Sequence, residues 1–155
     1  MKRKVFKGLA LSVLLTTVWA CDKTEEAPPE LTGEYFTYSL NGSSGAAIEG
    51  RDSLSAIRQD STTTLYGKSV PGGYELSLAF KSGIDSGAFA ITAMDIKAAG
   101  EVYHYDSSSG VVSVSSYGQP GQYITGRYTA VLGDTAASST LSFPVNGIFR
   151  IKREQ

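Results

Sequence analysis

The sequence predicts an all-β domain: a single antiparallel β-sandwich or, as the alternative, a barrel-like meander. The domain spans residues 33–155, behind a signal peptide (1–20) and a flexible tether (21–32). Three observations carry this. Short runs after Gly33 alternate apolar and polar residues with period two. Turn-forming Gly, Asn and Ser recur at roughly 8–12-residue intervals, as in sandwiches and barrels. No window holds the 3.6-residue period of an amphipathic helix.

The N-terminus is of another kind. Lys2, Arg3, Lys4 and Lys7 form a basic flank, followed by the 13-residue apolar run GLALSVLLTTVWA. A spanning helix needs about 20 apolar residues, so this run reads as a secretory signal. It ends Val18-Trp19-Ala20-Cys21, which resembles the lipobox of bacterial lipoproteins, with Cys21 as the lipidated residue. Cys21 is the only cysteine, so no internal disulfide can form. A lone thiol is a liability in an oxidising compartment, and a thioether to lipid removes it. Several acyl chains anchor firmly, because each buried methylene adds about 0.8 kcal/mol. Residues 22–32, DKTEEAPPELT, are charged, proline-bearing and too polar to bury a core, which describes a spacer.

Without the signal the chain carries 10 basic and 15 acidic side chains, a net charge of −5. That argues against nucleic acid or an anionic bilayer surface as partner, since both reward clustered Lys and Arg. Arg150, Lys152 and Arg153 form the densest basic group, and a solvated strand end accounts for them.

Within the domain, Phe36, Tyr38 and Leu40 share one face before an Asn41-Gly42 turn. In GYELSLAFKSG, Tyr74, Leu76, Leu78 and Phe80 alternate with Glu75, Ser77 and Lys81, the clearest half-buried strand. Ile124, Tyr128, Ala130 and Leu132 alternate with Thr125, Arg127 and Thr129. At the end, Ile148, Arg150 and Lys152 alternate with Phe149 and Ile151. Weaker runs are Ala56–Gln59, Thr63–Lys68, Ala88–Thr92, Glu101–Tyr105 and Val111–Tyr117. About 120 folded residues make one core and are too few for two.

The order of features in the C-terminal half is distinctive: an aromatic strand Val102–Tyr105, a Ser108-Ser109-Gly110 turn, Val111–Val114, then Ile124-Thr125-Gly126-Arg127-Tyr128, and a closing Asn146-Gly147-Ile148-Phe149. With the opening strand ending Asn41-Gly42, this resembles a group of small Bacteroidota lipoproteins of unknown function, with an "I-x-G-x-F/Y" strand and a closing "N-G-x-F" strand. The resemblance covers most of residues 33–153 and implies an outer-membrane or surface lipoprotein with an all-β domain. It brings no active site. The acidic stretch Asp22, Glu25 and Glu26 after Cys21 also resembles the surface-export signal of that phylum.

Chemistry is sparse. His104 is the only histidine, and on a strand it faces the same side as Asp106, a base–orienter geometry for some serine. No G-x-S-x-G elbow accompanies it. One histidine and a lipidated cysteine do not make a zinc centre, and the scattered carboxylates form no calcium loop. No cofactor is expected. Tyr103, Tyr105, Tyr117, Tyr123 and Tyr128 crowd the C-terminal half and form the candidate ligand face, since tyrosine offers contact area and a hydroxyl at low entropy cost. Ser53, Ser61 and Thr135, each preceded by Asp, resemble O-glycosylation acceptors of exported Bacteroidota proteins.

The reading that follows is a non-enzymatic, lipid-anchored module that binds a glycan or an envelope protein. The alternatives are a structural subunit of an envelope assembly and a hydrolase built on His104.

Overall fold

The computed structural model describes residues 32–154 except 41–42, 50–52, 70–71, 99, 106–109 and 135–141. The signal peptide, Cys21, the tether up to residue 31, Asp106 and Thr135 therefore lie outside the described residues. The ten strands are β1 (Tyr35–Leu40), β2 (Ser43–Glu49), β3 (Leu54–Gln59), β4 (Thr62–Ser69), β5 (Tyr74–Lys81), β6 (Gly87–Ala98), β7 (Glu101–Tyr105), β8 (Val111–Tyr117), β9 (Tyr123–Asp134) and β10 (Ser142–Lys152). No described helix is long and apolar enough to cross a membrane.

The all-β expectation holds, in the barrel-like form. One sheet runs β2-β1-β10-β9-β7-β6-β5-β4-β3, and β8 pairs with β6 and β9. β7 and β8 are both antiparallel to β6 and to β9, at different heights. They occupy one strand position in turn, between β6 and β9. The sheet closes where Ala56 of β3 bridges Arg153 in parallel and the Glu154 N–H donates to the Ala56 carbonyl at 2.9 Å. The β1–β2 hairpin extends from β10 and packs over β4: a Cβ on Gly67 would lie 3.3 Å from Phe36 and 3.4 Å from Ile48.

Alternation decides which side chains fill the barrel. Leu76, Leu78 and Phe80 of β5 are all fully buried, as the period-two reading requires. Ile124, Tyr128, Ala130 and Leu132 of β9 are buried too, as are Phe149 and Ile151 of β10. β6 is far longer than Ala88–Thr92, because a bulge hides its second half. Ala79 pairs Ala93 but Phe80 pairs Ile91, so Thr92 is the extra residue. The insertion lets Phe89 and Ile91 on one side of it, and Met94 and Ile96 on the other, all turn inward. β2, with its run of small residues, is unmarked by any alternation in the sequence.

Two cross-strand pairs organise the β9–β10 core. Gly147 lies opposite Tyr128, and Gly126 opposite Phe149. Each glycine vacates the space that the facing aromatic ring occupies. A Cβ on Gly126 would sit 2.6 Å from the Phe149 ring, and one on Gly147 would sit 2.6 Å from the Tyr128 hydroxyl and collide with the Thr37 carbonyl. Phe36 meets both rings edge-on, at 5.6 Å and 6.3 Å between centroids. The interior is thus filled by side chains, as in small barrels.

Candidate functional site

With the inside packed, chemistry falls to the outer face. The register of β4, β5, β6 and β7 lines up two adjacent rungs there. One is Tyr66–Ser77–Asp95–His104 and the next is Lys68–Glu75–Lys97–Val102. These positions are out of phase with buried Leu65, Leu76, Leu78 and Ile96, so alternation sends them to solvent. Between the rungs is a shallow depression of about 260 Å³ lined by Tyr66, Glu75, Ser77, Asp95, Lys97 and His104.

Its electrostatics are mixed. Lys68 Nζ lies 2.9 Å and Lys97 Nζ 3.7 Å from Glu75 Oε1. The hydrogen bond from Lys68 holds the Glu75 carboxyl below its ordinary range, and the same contact raises the Lys68 ammonium. His104 Nδ1 contacts Asp95 Oδ1 directly across the strand pair. Tyr66 is 38% exposed and presents a ring and a hydroxyl beside these groups. The depression therefore combines one aromatic surface, two carboxylates, an ammonium, an imidazole and the Ser77 hydroxyl.

This set does not make a nucleophilic triad. The carboxylate lies between the serine and the imidazole, on the middle strand of three. Ser77 and His104 are thus two strand spacings apart, about 9.5 Å, far beyond the reach of proton transfer. Among the described residues the carboxylate on His104 is Asp95.

The five C-terminal tyrosines do not form one face, which corrects the expectation. Tyr128 is 1% exposed, a core residue whose hydroxyl donates to the Thr37 carbonyl at 2.7 Å. Burial, and after it the neighbouring Tyr38, pushes its phenol well above the ordinary range. Tyr103 and Tyr105 are half-buried against the core, with Tyr103 edge-on to Phe143 and its hydroxyl donating to Glu101 Oε2 at 2.6 Å. Tyr117 and Tyr123 lie at the other end of the barrel. Tyr105 is opposite Leu132 and Tyr117 opposite Ile124, eight residues apart along β9. That is about 26 Å. Tyr117 shares a 2.6 Å hydrogen bond with buried Thr63, and Arg153 covers its ring. Arg150 sits over Tyr123, 4.4 Å from the ring centroid. Tyr66 takes the place of these residues. The sequence carried a signal for it: in TTTLYGK it is the one aromatic out of phase with Thr63 and Leu65.

Of the modification candidates, Ser61 is at the exposed tip of the β3–β4 hairpin, where Asp60 takes φ 55°. Ser53 is half-buried ahead of β3. Among the described residues no three His, Cys, Asp or Glu side chains converge to hold a metal. Compared with known protein families and with characterised proteins, the chain matches none.

Proposed function

We propose that this chain is a lipid-anchored protein of the bacterial outer membrane that binds glycans without catalysis, through the outer face of β4–β7. The observation that carries the reading is the Tyr66–Ser77–Asp95–His104 rung beside Glu75 and Lys97. A sugar ring has an apolar C–H face and a rim of hydroxyls. Tyr66 supplies a flat surface for the first. Asp95 and Glu75 accept hydrogen bonds from the second, and Lys97 and Ser77 donate to it. Most of these groups sit on strands rather than loops, so the site is rigid before ligand arrives and little ordering entropy opposes binding. The lipobox-like Val18–Cys21 and the resemblance to small Bacteroidota lipoproteins support the envelope location.

A glycan array probed with the protein and with Tyr66→Ala tests this. Binding to a defined glycan class, weakened at least tenfold by the substitution, is the expected result. No glycan bound, or binding indifferent to Tyr66, would reject it.

A further inference from the structure

The basic residues near the C-terminus read in sequence as a solvated strand end, but the fold adds a member from elsewhere. β9 brings Arg127 opposite Ile148, with Thr125 opposite Arg150 and Tyr123 opposite Lys152. Arg127, Arg150 and Lys152 therefore follow one another on the outer face of the β9–β10 pair. Arg150 and Lys152 are about 6.6 Å apart along the strand. Arg153 is not part of this row: its guanidinium donates to the Gly118 carbonyl at 3.1 Å and lies over Tyr117.

The positions directly facing the two arginines carry no opposing charge. The residues facing Arg127 are Ser113 on β8 and Ile148 on β10, and its diagonal neighbours are Val111, Ser115, Asn146 and Arg150. Those facing Arg150 are Thr125 and Tyr35. Arg150 lies over the Tyr123 ring, 4.4 Å from its centroid, and its buried Nε has no hydrogen-bond partner among the described residues. Glu34 lies at the end of the row, where its Oε1 accepts the Lys152 backbone N–H at 2.6 Å. So a chain whose mature part carries net charge −5 presents one face with cations and hydroxyls.

Beside Arg127 the surface dips into a trough of about 500 Å³, lined by Gly87, Ala88, Ser113, Ser115, Arg127 and Ile148. Small residues on β6 and β8 make the trough, and Arg127 and the exposed Ile148 wall it.

From this placement we propose a second binding site, for an acidic polysaccharide whose carboxylates pair with Arg127, Arg150 and Lys152 while its sugar rings lie in the trough. The cations follow one another along the β9–β10 pair, Arg127 on β9 and Arg150 and Lys152 on β10, which suits a linear polymer. Ser113, Thr125 and Thr129 offer hydroxyls to sugar hydroxyls along the same line. A membrane surface would be served poorly, because among the described residues the large apolar side chains exposed beside Arg127 are the aliphatic Ile148 and Val111, which offer little to insert. An exposed Arg–carboxylate pair is weak by itself. A polymer engages several at once, and effective concentration then multiplies the contacts. The site shares no residue with the β4–β7 face and does not rest on it.

The test is titration of the full chain, held in neutral phosphatidylcholine nanodiscs, with oligogalacturonate and with a neutral oligomer of the same length. Arg127→Gln/Arg150→Gln, Arg127→Lys and Tyr66→Ala are titrated in parallel. Oligogalacturonate should bind, with salt-sensitive affinity, and the neutral oligomer should bind at least tenfold more weakly. The double variant should lose at least tenfold, with an unchanged melting midpoint. Arg127→Lys should lose less, and Tyr66→Ala should leave this binding as it is. No oligogalacturonate binding, or binding unaffected by the double change, overturns the proposal. So does a membrane role: preference for anionic over neutral vesicles that the double variant abolishes, the lipid anchor being common to both proteins.

Discussion

Glycine is chosen at two positions for what it leaves empty. Gly126 and Gly147 give Phe149 and Tyr128 their places, and the marks that resembled a lipoprotein group, I-x-G-x-Y and N-G-x-F, are these two reciprocal pairs. Their meaning could not be read from sequence, because the pairing depends on the β9–β10 register. Gly147→Ala forces a methyl group toward the Thr37 carbonyl and the Tyr128 hydroxyl. It should lower stability by about 1–3 kcal/mol, read as a fall in the urea midpoint. Gly133→Ala is the contrast: its Cβ would find nothing nearer than 4.0 Å, and stability should not fall. Tyr128 also gives a pH signature. Its folded phenol keeps its proton where an unfolded tyrosine, near pH 10, has lost it. The stability it contributes is full below about pH 10 and declines above it. Tyr128→Phe should flatten that alkaline decline in denaturation curves, and an unchanged slope would deny the buried phenol its role.

Strands with unbroken alternation were legible, and those with interruptions were not. β5, β7 and β8 occupy the very runs that period two marks; in β8 the inward pair Val112 and Val114 comes before the bulge at Ser115 and so keeps its phase. β6 was legible only in its first half, since the extra Thr92 reverses the phase that a fixed period assumes. β2 was missed because Ser, Gly and Ala carry too little contrast to alternate. The candidate site suffered for the same reason. Tyr66, Asp95 and His104 come from three strands, and only the pairing register of β4–β7 sets them in a row. The tyrosines, counted along the chain, looked like one face and are split between two ends and the core. Leu78 tests the element that was clearest: it is fully buried, and Leu78→Ala should cost about 2–5 kcal/mol in equilibrium unfolding. A near-neutral result would mean that the barrel interior is not built on β5.

For the whole molecule, the proposed picture is a closed barrel with a filled interior, tethered by lipid and working through its outside. Packing explains the division of labour: large apolar side chains occupy the inside, so recognition is left to outward rungs. Intact-mass measurement on protein from the native envelope should find a mature chain that starts at Cys21 and carries acyl chains. Cys21→Ala should move it out of the membrane fraction, and a variant that stays there would refute the anchor. The claim at the centre is that glycan recognition belongs to the β4–β7 face, and residue-resolved NMR during titration with a neutral glycan selected on the array addresses it most directly. Amide shifts should concentrate on Tyr66, Glu75, Ser77, Asp95, Lys97 and His104. Shifts concentrated instead around the C-terminal tyrosines, or none at any glycan concentration, would contradict it.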